Sequence, residues 1–243
     1  MPININTEGI VLHSFKYNET SIITRIYTKE LGLQSYLVPG VRKKKSTIKY
    51  NLFQPLSTLE MIVYHNDKPG LQRIKEISCF KKYQQIPTDI KKTTIALFLS
   101  EILINCLKEQ EANTKLFEFL KQSLFYLDNS KDKVSGFHLL FLMQLTKYLG
   151  FYPNLKQKNT NSVFNLKEGI CQNNKYNSQY CLDKQSSDLF EKLCQMKYED
   201  LNEFSLPTHY KKTLLEKIIT YYKLHVEGFK DIKSLKVLEA VFD

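Results

Sequence analysis

The sequence predicts an α+β protein: a five-stranded β-barrel at the N-terminus, then an all-helical C-terminal domain with an irregular insertion. Three observations predict it. Residues 1–83 hold short β-branched and aromatic runs separated by turn formers, with no helical period. From residue 88 onward apolar residues recur at helical spacing. Between about 154 and 185 that period lapses into Asn, Gln, Lys and Ser. The boundary is expected near residues 82–88, giving a barrel over 1–83 and a helical domain over 84–243.

The strands follow in order. Residues 9–15 and 21–28 are rich in Ile, Val, Phe, Thr and Tyr, and Lys16-Tyr17-Asn18-Glu19-Thr20 turns the chain between them. In the second run Ile22, Thr24 and Ile26 share one face and Ile23, Arg25 and Tyr27 the other. Glu30-Leu31-Gly32 supplies a turn whose glycine tolerates positive φ, ahead of a strand over 33–38. Strands over 56–65 and 71–80 meet across Asn66-Asp67-Lys68-Pro69-Gly70. Five strands in about 80 residues favour closure, which removes exposed edges. An OB-type barrel is the natural candidate of that size, with an SH3-like barrel as the alternative.

Ile95, Leu97, Phe98, Leu99, Ile102, Leu103, Cys106 and Leu107 mark the first helix, with Thr88-Asp89 as its N-cap. Leu116, Phe117, Phe119, Leu120, Leu124 and Leu127 mark the second, behind Asn113-Thr114. A third, over 137–148, is apolar nearly all round and therefore central; it stops at Gly150, with Pro153 beyond. The excursion over 154–185 has room for one short strand. Helices resume over 186–196, over 207–226 with Pro207 in the first turn, and over 234–242.

The formal charge is +10, and it is uneven: residues 1–83 carry 13 Lys/Arg against 6 Asp/Glu, residues 84–243 carry 22 against 19. A compact basic segment attracts polyanions through counterion release, so nucleic acid is the leading partner class. The densest run is Arg42-Lys43-Lys44-Lys45-Ser46-Thr47-Ile48-Lys49-Tyr50, directly after Pro39-Gly40-Val41. A loop of this kind between barrel strands grips phosphates without reading bases. The candidate DNA-contacting residues are Arg25, Arg42, Lys43, Lys44, Lys45, Lys49, Arg73 and Lys75. Alternation puts Arg73 and Lys75 on one strand face, and Lys81 and Lys82 extend the track. Tyr36, Tyr50 and Phe53 lie close in sequence and are candidate base-stacking rings. The competing reading is a solvated basic loop over core aromatics.

Other chemistry is hard to assemble. Cys79, Cys106, Cys171, Cys181 and Cys194 are odd in number and irregularly spaced, which fits a reducing cytoplasm better than a disulfide framework. Residues 1–30 lack the basic start and apolar stretch of a secretory signal, and no apolar run approaches the ~20 residues that span a bilayer. A cytoplasmic protein off the membrane is the expectation. His13, His65, His138, His209 and His225 are scattered, and neither a Gly-x-x-x-x-Gly-Lys nor a Gly-x-Ser-x-Gly motif occurs. No nucleophile, base or metal set comes together, so a non-enzyme without cofactor is expected. Zinc is not expected either, because the excursion holds only Cys171 and Cys181 and Cys194 falls on a helix.

Longer stretches carry a resemblance. Glu8-Gly9-Ile10-Val11-Leu12 opens it, followed by Tyr17-Asn18-Glu19-Thr20-Ser21-Ile22-Ile23 and Tyr27-Thr28-Lys29-Glu30-Leu31-Gly32. Pro39-Gly40-Val41-Arg42-Lys43 and Leu52-Phe53-Gln54-Pro55-Leu56 flank the basic loop. With Tyr148-Leu149-Gly150-Phe151-Tyr152-Pro153, Tyr222-Lys223-Leu224-His225 and Lys233-Ser234-Leu235-Lys236-Val237-Leu238, the chain resembles the RecO family over most of its length. The resemblance implies an OB-fold barrel, a helical domain, no enzymatic turnover, binding of single- and double-stranded DNA, and annealing of complementary strands. It implies single-stranded-DNA-binding protein and RecR as partners in loading the RecA recombinase, and association with the nucleoid when on DNA. Many relatives carry a four-cysteine zinc module in the excursion; the two cysteines here imply a zinc-free version. Docking the acidic tail of the single-strand-binding protein needs an apolar pocket edged with cations, and Lys115, Lys121, Lys131 and Lys133 lie near predicted helices. An RNA-binding barrel protein and a protein-only adaptor are the alternatives.

Overall fold

The β-rich third of the chain folds, in a computed structural model that describes residues 3–66, 70–130, 134–155, 162–173, 179–204 and 206–242, as β1 (Ile3–Lys16), β2 (Ile22–Thr28), β3 (Gly32–Val38), β4 (Thr58–His65) and β5 (Gln72–Lys81). These strands close in the order β1-β2-β3-β5-β4, with β3 and β5 the one parallel pair among them. The expected OB-type barrel is what forms. β1 begins at Ile3 instead of residue 9 because it serves two partners: Ile3 to Ile10 pair with β4, and Gly9 to Lys16 with β2. At the shared Gly9 an added Cβ would lie 2.6 Å from Ile26 and 2.7 Å from Met61, so the bend needs a residue without a side chain.

Alternation then sorts the faces. Along β3, Gln34, Tyr36 and Val38 are buried while Leu33, Ser35 and Leu37 are half-buried. The inward side chains pack as one cluster of Val11, Ile26, Tyr36, Leu59, Met61 and Val63, and a second of Ile22, Val38, Val41 and Phe53. Fully burying one such apolar side chain contributes about 1.5–3 kcal/mol.

The helices α1 (Ile90–Cys106) and α2 (Thr114–Asn129) belong to the same compact unit as the barrel, Met1–Asn129. Asp89 caps α1 by accepting from the Lys91 and Lys92 amides. The Ser100 hydroxyl donates to the Leu12 carbonyl, and Phe117 of α2 stacks on Tyr27 at 6.4 Å between centroids. Asp128 ends α2 by accepting from the amides of Gln84, Gln85 and Ile86 at 2.8–3.1 Å. The buried Lys92 is satisfied by Gln85 Oε1 at 2.6 Å and the Asp128 carbonyl at 3.0 Å, and burial lowers its pKa.

The second unit, Ser130–Asp243, is built around α3 (Phe137–Leu149), whose Leu139, Leu140, Phe141, Leu142 and Met143 are all buried. Gly150 ends α3 at φ 84°, the left-handed conformation the sequence predicts there. The excursion holds two short strands instead of one, β6 (Ser162–Asn165) and β7 (Ile170–Asn173). Their hairpin closes because Asn165 Oδ1 accepts from the Lys167 and Glu168 amides and Gly169 takes φ 68°. α4 (Lys184–Gln195), α5 (Thr208–His225) and α6 (Leu235–Phe242) complete the unit. The Tyr222 hydroxyl donates to the Leu142 carbonyl at 2.7 Å, tying α5 to α3. Among the described residues no helix is long and apolar enough to cross a membrane. The expected turn residues Asp67, Lys68 and Pro69 lie outside the described residues.

Candidate nucleic-acid interface

The chain between β3 and β4 separates apolar from charged residues. Val41 and Phe53 are buried against Ile22 and Val38, and Ile48 and Leu52 pack on the same cluster, so these side chains plug one end of the barrel. The intervening Arg42, Lys43, Lys44, Lys45 and Lys49 all stand exposed. Gly40 takes φ 71° and its carbonyl accepts from the Lys43 amide at 3.0 Å, which turns the loop sharply off β3. The Ser46 hydroxyl donates to the Ile48 carbonyl at 2.8 Å. Arg42 Nη1 donates to the carbonyls of Asn18 at 3.3 Å and Glu19 at 3.2 Å, fixing the loop to the β1–β2 turn. At the exit Leu56 takes φ 62°, an uncommon conformation for this residue type. Its amide bonds to the Val11 carbonyl at 2.7 Å and holds it there.

The result is an open depression of about 480 Å³ lined by Arg42, Lys43, Lys44, Lys49 and Tyr50, with no carboxylate in its lining. Lys45 belongs to the loop but not to this lining. Several cations on one anchored loop suit the phosphates of a nucleic-acid backbone.

The remaining expected residues lie on the barrel wall. Arg25 is exposed on β2, register partner to His13 and Ser35. Burial lowers the His13 pKa, the Arg25 charge lowers it further, and Glu101 opposes both. Arg73 is exposed on β5 and pairs with Leu37 and Tyr64. Lys75 sits at a bulge, where the register passes from Ile62↔Glu76 to Val63↔Ile74. Ile74 and Ile77 therefore both pack inward, while Lys75 and Glu76 stand exposed side by side. Lys81 lies 3.4 Å from the Phe125 ring centroid, so it braces α2; Lys82 is exposed.

Two expected stacking rings are corrected. Tyr36 is 0% and Phe53 2% exposed, both inside the barrel, where no base reaches them. Of the three, Tyr50 remains at the surface, 48% exposed.

A second depression of about 530 Å³ opens on the β1-β4-β5 wall and carries the opposite charge: Glu8, Glu30, Glu60 and Glu76 line it. Glu8 and Glu60 are direct cross-strand partners. Lys121 pairs with Glu8 at 2.5 Å and lies 3.9 Å from the Phe80 ring centroid, which commits it to the barrel instead of a partner pocket. Lys115 is exposed, and Lys131 and Lys133 lie outside the described residues. In the second unit the Cys171 thiol donates to Glu191 at 3.3 Å, and Gln172 donates to Cys181 Sγ at 3.0 Å.

The chain matches two family models, Recombination protein O N terminal over residues 1–83 and Recombination protein O C terminal over residues 87–236. It is 38% identical to the DNA repair protein RecO of Flavobacterium psychrophilum over 241 residues, covering 99% of this chain and 100% of the relative. It is 36% identical to that of Christiangramia forsetii over 239 residues, 98% of this chain and 99% of the relative. The DNA repair protein RecO of Bacteroides fragilis is 38% identical over 239 residues, 98% of each chain.

Proposed function

This chain belongs to the RecO family of DNA repair proteins, and from that premise we propose that it is a non-catalytic mediator that binds single- and double-stranded DNA and anneals complementary strands. The observation that carries the reading is the cationic depression at the plugged end of the barrel. Cations that neutralise phosphates on two strands at once lower their mutual repulsion, so complementary bases meet more often. Arg25, Arg42, Lys43, Lys44, Lys45, Lys49, Arg73 and Lys75 supply that charge, with the loop as the main grip. In this reading the protein works without zinc, since the excursion supplies only Cys171 and Cys181 where a structural site takes four Cys or His ligands. It helps load recombinase onto DNA coated by single-strand-binding protein, with that protein and RecR as partners, in the cytoplasm and on the nucleoid.

The test is annealing of two complementary fluorescent oligonucleotides across a salt series, beside a variant with Lys43, Lys44 and Lys45 replaced by Ala. Annealing that is accelerated by the wild type, fades with salt and weakens in the variant supports the reading. A wild type that neither binds nor anneals at low salt removes it.

A further inference from the structure

We propose that the outer wall of the barrel carries a base-stacking track for single-stranded nucleic acid, with Phe15 and Tyr64 as its rings and Arg73 as its cation. The proposal rests on the DNA-binding reading above and names which residues tell unpaired bases from a duplex.

The barrel register aligns these residues. Phe15 pairs with Ile23, Ile23 with Leu37, Leu37 with Arg73, and Arg73 with Tyr64, so one transverse row crosses all five strands. No carboxylate belongs to that row. Its middle is apolar, Ile23 buried and Leu37 half-buried. Its outer members are large rings left in solvent: Phe15 is 42% and Tyr64 39% exposed. Elsewhere on the same wall Tyr27 lies under Phe117, and Phe80, although 38% exposed, faces the Lys121 ammonium.

Phe15 is also held in place. His13, two residues earlier on the same strand face, stacks on it at 5.9 Å between centroids and 29° between planes. Burial and the Arg25 charge both lower the His13 pKa, which disfavours a charged ring behind the phenyl group.

The row adjoins the phosphate-binding loop. Arg42 bonds to Asn18 and Glu19, in the turn that follows β1 directly after Phe15 and Lys16. Ile22 and Val38, neighbours in sequence of Ile23 and Leu37, pack against the loop's own Val41 and Phe53. A strand whose backbone is held by the loop therefore meets Phe15 first, and the row leads from there across the wall to Tyr64. Unpaired bases present their faces for stacking on Phe15 and Tyr64, whereas a duplex keeps its bases stacked on one another and gains nothing there. Backbone grip belongs to the loop, and strand selectivity belongs to the wall.

The experiment compares the full-length protein with the double variant F15A/Y64A on three probes: oligothymidylate, an abasic strand of equal length, and a matched duplex. The wild type is expected to prefer thymidylate over the abasic strand by about tenfold or more for each ring engaged. F15A/Y64A should bind thymidylate no better than the abasic strand, with duplex affinity unchanged. The ring-preserving variant F15Y/Y64F should keep the preference, which separates stacking from a folding defect. A thymidylate preference equal in wild type and F15A/Y64A overturns this proposal and leaves the DNA-binding reading in place. A wild type that binds none of the three probes overturns both.

Discussion

Two depressions of similar volume, about 480 and 530 Å³, open on one barrel and differ in sign. The first is edged by Arg42, Lys43, Lys44 and Lys49, the second by Glu8, Glu30, Glu60 and Glu76. They also differ in how the charge is carried. The cations ride on a loop pinned by buried Val41 and Phe53; Glu8, Glu60 and Glu76 stand on strands at fixed register, Glu8 opposite Glu60. A polyanion is drawn to the first and repelled by the second, which is why the proposed DNA grip is assigned to the loop. Size alone would not have separated them.

The strongest way to break this comparison is to erase the difference in sign. Replacing Lys43, Lys44 and Lys45 by Glu should lower DNA affinity by more than about a hundredfold at moderate salt, read by fluorescence anisotropy. Affinity within a few-fold of wild type would deny the loop its role. A second variant attacks the plug instead of the charge. Phe53→Ala empties a site that is 2% exposed and should cost about 3–5 kcal/mol in denaturant unfolding. DNA affinity should fall with it although every lysine remains; retained affinity would mean that the plug does not position the cations.

How much of this was readable beforehand follows from the range of the forces involved. The strands over 21–28 and 33–38 were legible because alternation and turn chemistry are local. The start of β1 was not, since Ile3 to Glu8 become a strand by pairing with β4, more than fifty residues away. The exposed cations of the loop were legible from charge. Tyr36 and Phe53 lie near the basic run in sequence yet not on its face, so proximity in sequence does not make them stacking rings. The alternation Gln34, Tyr36, Val38 against Leu33, Ser35, Leu37 held the signal that Tyr36 points inward. Nothing local says which strand-face rings the helices leave uncovered, so the exposure of Phe15 and Tyr64 is legible only in the fold. The acidic wall is hidden from the sequence for the same reason: Glu8, Glu60 and Glu76 are scattered along the chain and meet only through register.

Two smaller effects sharpen the comparison. Replacing Glu60 and Glu76 by Lys makes the acidic wall attractive, and should raise non-specific duplex affinity by about two- to fivefold at low salt, fading as salt is added. A drop in affinity would show that the wall already takes part in DNA binding. Smallest of all, Glu118→Gln breaks the pair with Lys29, whose Nζ lies 2.8 Å from the carboxylate. That pair holds the Glu118 pKa down and the Lys29 pKa up, but both partners are partly solvated. The loss should stay below about 1 kcal/mol in denaturant unfolding and leave DNA binding unchanged.

The central claim, that the barrel-end loop is the phosphate grip, is tested most directly by the salt dependence of DNA binding. The slope of log affinity against log salt is to be measured on one duplex for the wild type, for Lys43, Lys44 and Lys45 replaced by Ala, and for Glu60 and Glu76 replaced by Gln. The account predicts that the lysine variant flattens the slope by about 2–3, one released counterion per lost contact, while the Gln variant leaves it as it is. Equal slopes in the wild type and the lysine variant would contradict it and place the grip elsewhere on the protein.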